Sequence, residues 1–109
     1  MTDILARKAQ LQDRLEALQV RLLEIDAELD SHQSRDWEEL AVEREGDEVL
    51  ESEGRAGKAE ILAIRAALDR IDNGSYGDCV RCGEPISEPR LDLLPFTPFC
   101  ADCAHTVEK

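Results

Sequence analysis

Four cysteines stand in two Cys-x-x-Cys pairs, Cys79/Cys82 and Cys100/Cys103, with 17 residues between the pairs. Two short pairs from separate points of a chain can supply four soft thiolates in a tetrahedron, which is what a structural Zn²⁺ prefers. Gly83, directly after Cys82, suits the tight knuckle in which backbone N–H groups turn toward the sulfurs. The expectation is one structural zinc ion held by Cys79, Cys82, Cys100 and Cys103. Two disulfides would instead need an oxidising compartment, and the opening MTDILARKAQ lacks the apolar run of a secretory leader. A redox-active Cys-x-x-Cys would need a βαβ setting that the sequence does not offer. Four thiolates leave zinc no open position for water, and no nucleophile–base pair stands out elsewhere, so the sequence points away from an enzyme. His105, two residues past Cys103, reads as a surface residue rather than a replacement ligand, and His32 has no assigned role.

The elements that position these thiols must come from a chain of 109 residues, room for about one domain. Only four aromatics occur, Trp37, Tyr76, Phe96 and Phe99, so a two-helix seam uses the Leu, Ile, Val and Ala content better than a large globular core. Leu11, Leu15, Leu18, Leu22, Ile25 and Leu29 alternate in steps of four and three, the a/d pattern of a helical seam, with Ile4 extending it. A second seam runs through Leu50, Gly54, Gly57, Ile61, Ile64, Leu68 and Ile71. Pairing residues whose numbers sum to 75 sets Ile4 against Ile71, Leu11 against Ile64, Leu18 against Gly57, Ile25 against Leu50 and Leu29 against Gly46.

An all-α-dominated fold follows: an antiparallel coiled-coil hairpin over 1–72, its apex near 37–38, and a small four-cysteine module at its base over 73–109. The rival layout is one continuous helix that dimerises, against which stand the turn formers Ser31, Ser34 and Asp36. Asn73-Gly74 is placed to end the second helix with a left-handed cap. Pro85, Pro89, Pro95 and Pro98 should keep the module in turns and extended pieces, with a short helix after Cys103.

Charge is concentrated. The net charge is −12, and residues 36–53 hold nine acids against Arg44 alone. Duplex binding depends on neutralising phosphates with Lys and Arg, so specific nucleic-acid binding is not expected, and a basic protein surface or a metal-bearing site is the better partner. No stretch approaches the length of a membrane span, so a soluble cytoplasmic monomer without a membrane partner is expected. The hairpin tip, 34–41, contains Asp36, Trp37, Glu39 and Ala41. Asp36 with Glu39 is also a capping-box pattern for the second helix, and Trp37 either covers the hairpin end or anchors an interface.

Gly74-x-Tyr76-Gly77-x-Cys79-x-x-Cys82-Gly83, followed by Ile86, Arg90-Leu91, Pro95 and Cys100-x-x-Cys103, resembles the DksA/TraR family of C4-zinc regulators of bacterial RNA polymerase. Counted back from Cys79, the family's tip motif Asp-x-x-Asp-x-Ala falls on Asp36, Glu39 and Ala41. The resemblance implies a transcription regulator whose rod enters the secondary channel of RNA polymerase and brings the tip carboxylates near the catalytic centre. In that setting Asp36 and Glu39 are the acting carboxylates, Ala41 is a small contact residue, and the zinc module docks at the channel rim. Glu39 replaces the motif's second aspartate and carries its carboxylate one methylene further out. The chain resembles a short form without the extra N-terminal helices of longer members, and no alarmone response is expected where Leu62, Leu94 and Ala104 replace basic side chains and only Arg55 is retained. A zinc-stabilised adaptor gripping another protein through the rod is the alternative; a nucleic-acid-binding zinc ribbon would need more than Arg81, Arg90 and Lys109.

Overall fold

The computed structural model describes the backbone of residues 3–31 and 37–107, and the side chains of 3–30 and 47–106. Helix α1 spans Ile4–Ser31, α2 Trp37–Asn73, α3 Glu88–Leu93 and α4 Ala101–Val107, and the described residues form no strand. The molecule measures 56 × 31 × 20 Å, close to the ~55 Å that 37 residues of α-helix span at 1.5 Å each.

Helix α1 contains neither Gly nor Pro, and Asp3 starts it by accepting the Ala6 N–H at 3.2 Å on Oδ1. Leu11, Leu18 and Ile25 are buried against α2, whereas the alternating Leu15, Leu22 and Leu29 are half-buried. Across the seam lie Gly54, Gly57, Ile61 and Ile64, all buried. A methyl group placed on Gly57 would sit 3.2 Å from Leu22 Cδ2 and 3.9 Å from Leu18 Cδ2, and one on Gly54 would sit 3.9 Å from Ile25 Cγ2. The antiparallel pairing of the seams is the one the heptads imply, with Leu18 beside Gly57, although Gly57 lies closer to Leu22 and Ile25 meets Gly54. Two ion pairs lock it from one flank, Arg14 to Glu60 at 2.6 Å and Arg21 to Glu53 at 2.8 Å.

Three expectations need correction. The apex was expected near 37–38, but α2 already runs from Trp37, and the joining residues 32–36 lie outside the described ones. The pairing of Leu29 with Gly46 also lies outside the described side chains. Ile4 is 38% exposed and borders a depression with Tyr76 and Ile86 rather than closing the seam. Pro89, expected in an irregular segment, instead lies in the first turn of α3, where a missing N–H costs nothing; Ser87 caps that helix.

The end of α2 sets the direction of everything after it. Gly74, at φ +83°, donates to Ile71 O at 3.3 Å while Ser75 donates to Arg70 O at 2.9 Å, a Schellman closure. The chain then turns back onto the rod. Tyr76, Cys79, Ile86 and Leu91 join Leu11, Leu18, Ile61, Ile64 and Ala67 in one buried cluster. Ala67 is fully buried although it is no member of the heptad seam, because the module covers a second face of α2. Arg7 ties α1 to α3 by pairing with both Glu88 and Asp92.

Candidate metal centre

The first cysteine pair is shaped by a hairpin-like knuckle. Asp78 and Pro85 form an antiparallel bridge, Ile86 N–H donates to Gly77 O at 2.8 Å, and Cys79 N–H donates to Glu84 O at 2.8 Å. Within that frame Gly83 N–H donates to Cys79 O at 2.8 Å, and Gly77 and Gly83 take φ of +93° and +79°, where a side chain would be strained. The second pair straddles the start of α4: Cys103 N–H points at Cys100 Sγ, 3.5 Å away, and Ala104 N–H donates to Cys100 O at 2.9 Å. Val80 N–H donates to Pro98 O at 2.9 Å and so fastens one pair to the other.

The result is a cluster of four sulfurs all within 4.8 Å of one another. Cys82 Sγ and Cys100 Sγ are 3.8 Å apart, which matches the ~3.8 Å edge of a tetrahedron with Zn–S bonds of about 2.3 Å. No Asp, Glu or His among the described residues joins the cluster, and His105 is exposed on α4, as expected of a surface residue. An all-thiolate set of this size fits one Zn²⁺ and leaves no vacant coordination position.

The thiols do not ionise alike. Burial pushes Cys79 up, but hydrogen bonds from the backbone of Cys100, Cys82 and Arg81 outweigh it and hold its thiol down at about 6. Burial, followed by the neighbouring Cys100, Cys79 and Cys82 thiols, pushes Cys103 up to about 12. One thiolate therefore forms readily, whereas four together need a divalent cation at their centre.

Three side chains that hold the second pair in place went unassigned in the sequence analysis. Arg70 donates to Phe96 O at 3.2 Å, Tyr76 Oη to Pro95 O at 2.8 Å, and Arg90 Nε to Phe99 O at 2.9 Å. Thr97, nearly buried, accepts from Phe99 N–H at 3.3 Å and from Arg90 Nη2 at 3.4 Å. Segment 95–99 thus has its carbonyls captured by residues from α2, α3 and the first turn of the module, and it delivers Cys100 to the cluster. Burial lowers the pKa of Arg70 and raises that of Tyr76. Of the expected tip residues, Asp36 lies outside the described residues; Trp37, Glu39 and Ala41 belong to α2, with side chains outside the described set.

A family model described as DnaK suppressor protein-like, N-terminal domain, matches residues 7–71, and one described as prokaryotic dksA/traR C4-type zinc finger matches residues 74–109. The RNA polymerase-binding transcription factor DksA of Caulobacter vibrioides is 33% identical over 66 residues, 60% of this chain and 46% of that protein. The solution structure of DnaK suppressor protein from Agrobacterium tumefaciens is 42% identical with a TM-score of 0.68, covering 97% of this chain and 95% of that one. Transcription factor DksA2 from Pseudomonas aeruginosa is 28% identical with a TM-score of 0.83, covering 99% of this chain and 86% of that one.

Proposed function

The chain belongs to the DksA/TraR family of C4-type zinc-finger proteins, and on that premise we propose that it is a transcription regulator that binds bacterial RNA polymerase through the secondary channel. The observation that carries the reading is the shape of the rod. The cysteine module packs at the base, against Leu11, Ile64 and Ala67, and no described element outside α1 and α2 covers the distal seam around Ile25 and Gly54. A two-helix rod with its bulk at one end suits a narrow passage that the other end must reach through. In this reading Asp36 and Glu39 are the acting carboxylates, with Trp37 and Ala41 as contacts, and the acid-rich segment 36–53 suits a partner surface bearing metal ions or basic residues.

In this reading the zinc ion does no chemistry. It holds the two cysteine pairs together, and Arg7, Arg70, Tyr76 and Arg90 orient the module so that it docks at the channel rim. The function requires no sequence-specific DNA contact, in keeping with the net charge of −12.

The test is binding of the zinc-loaded chain to RNA polymerase core enzyme, with and without a known secondary-channel occupant. Competition is expected, and Asp36→Ala with Glu39→Ala should retain binding while losing the effect on promoter-complex lifetime. Binding that the occupant leaves unchanged would refute the channel mode. No binding at micromolar concentrations would favour an adaptor for another protein.

A further inference from the structure

Ten of the thirteen Lys and Arg residues have described side chains, and six of the ten are engaged. Arg7, Lys8, Arg14 and Arg21 pair with carboxylates, while Arg70 and Arg90 donate to backbone carbonyls of the module. The other four, Arg55, Lys58, Arg65 and Arg81, make no ion pair or side-chain hydrogen bond among the described residues. Three of these lie on one face of α2. Residues 55, 58, 62 and 65 follow steps of three, four and three, so Arg55, Lys58 and Arg65 line up with Leu62 between them. All three cations are exposed, and so is Leu62, at 67%.

The two flanks of the rod differ accordingly. On one, Arg14–Glu60 and Arg21–Glu53 bridge the helices and satisfy each other's charge. Each flank carries a groove between the helices, about 210 Å³ beside those ion pairs and about 180 Å³ on the other flank, where Leu22 and Leu29 lie on the α1 side and Leu50, Arg55 and Lys58 on the α2 side. Asp26 lines the same groove yet pairs with neither cation, and Glu51 and Asp69 stand at the two ends of the stripe. In a chain with 25 acids and 13 bases, unpartnered cations gathered on one face around an exposed leucine are a local reversal of sign.

We propose that Arg55, Lys58, Leu62 and Arg65 form a docking face for an acidic amphipathic helix of the protein partner, lying along this flank of α2. The proposal rests on the polymerase reading only for the identity of that partner. Charge complementarity selects an acidic helix, Leu62 supplies the apolar anchor at its centre, and the groove beside Arg55 takes a further apolar side chain. A phosphate backbone is the poorer occupant, because three cations bracketed by Glu51 and Asp69 face a polyanion from a chain of net charge −12.

The test uses the full zinc-loaded chain with Arg55, Lys58 and Arg65 all changed to Gln, a good helix former that keeps the stem, and separately with Leu62→Ser. Both variants should retain the wild-type circular dichroism spectrum and zinc content. Affinity for polymerase core should fall about tenfold in the triple variant, with a flatter dependence on salt, and should fall with unchanged salt dependence in Leu62→Ser. Equal affinity of wild type and triple variant would overturn the docking face while leaving the polymerase reading intact. If the wild type does not bind polymerase, that reading fails, and the face is then judged by NMR titration with a synthetic Glu/Leu amphipathic helical peptide. Shifts confined to amides of 55–65 would support it; shifts elsewhere, or none, would overturn it. Concentration-dependent dimerisation that the triple variant abolishes would assign the face to a second copy instead, and overturn it.

Discussion

Gly54 and Gly57 sit three residues apart in the same seam, yet the structure assigns them opposite responses to alanine. At Gly54 the added methyl meets one atom, Ile25 Cγ2, at 3.9 Å, an ordinary contact. Replacing glycine by alanine in a helix interior gains about 1 kcal/mol, and nothing here opposes it. At Gly57 the same methyl lands 3.2 Å from Leu22 Cδ2 and 3.7 Å from Leu22 Cγ, with Leu18 Cδ2 at 3.9 Å. Leu22 is half-buried and must give way, and overpacking of this kind costs about 1–3 kcal/mol, which offsets or exceeds the helix gain. Gly54→Ala should therefore raise stability by about 1 kcal/mol, and Gly57→Ala should leave it unchanged or lower it by up to about 2 kcal/mol. Urea and thermal melts of the zinc-loaded chain, followed by circular dichroism at a helix band, measure both. The Gly54→Ala midpoint should rise by about 4–8 °C. Equal stabilisation by the two changes would refute the close approach at Gly57, and destabilisation by Gly54→Ala would refute the room assigned at Gly54.

Cys82→Ser should abolish stoichiometric zinc binding, and with it a site of the kind that contributes about 10–16 kcal/mol at neutral pH. Far-ultraviolet circular dichroism should retain most of its helical signal while the environment of Tyr76 is lost; retained zinc at one equivalent would contradict the four-thiolate site. Arg21 holds the Glu53 carboxyl below the usual carboxylate range, so the contribution of that pair is complete above a pH of about 4.3 and drains away as pH falls through the lowered value. The stability gap between wild type and Glu53→Gln, read from urea midpoints, should close in acid; a gap constant from neutral pH to pH 3 would exclude this linkage. Tyr76→Phe removes the donor to Pro95 O at 2.8 Å and should cost about 1 kcal/mol in the same melts, and an unchanged midpoint would show that this bond contributes nothing.

The rod was legible because its seams are periodic and the register follows from them. The flanking ion pairs join residues 14 to 60 and 21 to 53, both summing to 74, one away from the 75 read from the heptads, as suits pairs beside the seam rather than in it. The cysteine spacing likewise foretold the sulfur cluster, and Asn73-Gly74 foretold the end of α2. What periodicity could not reveal was contact between unlike elements. Ala67 is buried only because the module packs over a second face of α2. Arg70 reads in sequence as one more helix cation near a C-terminus, yet it reaches across to carbonyls 26 and 27 residues away. Pro89 misled because proline is compatible with a helix's first turn, and the Ser87 cap that makes it so carries weight only beside Arg90 N–H.

Those base contacts imply a gradient of stability along the rod. Cys79 belongs to the same buried cluster as Leu11, Ile64 and Ala67, so free energy supplied by zinc binding passes directly into the proximal half of the hairpin. Arg7 and Arg70 reinforce that coupling by fastening α1 and α2 to the module. Ile25, buried against Gly54, stands outside the cluster and depends on the two helices alone. Glycine lowers the helix stability of that same stretch by about 1 kcal/mol per residue relative to alanine. Opening should therefore be local and frequent around 25–29 and 47–54, and rare around 11–18 and 61–67, where it requires the module to come apart.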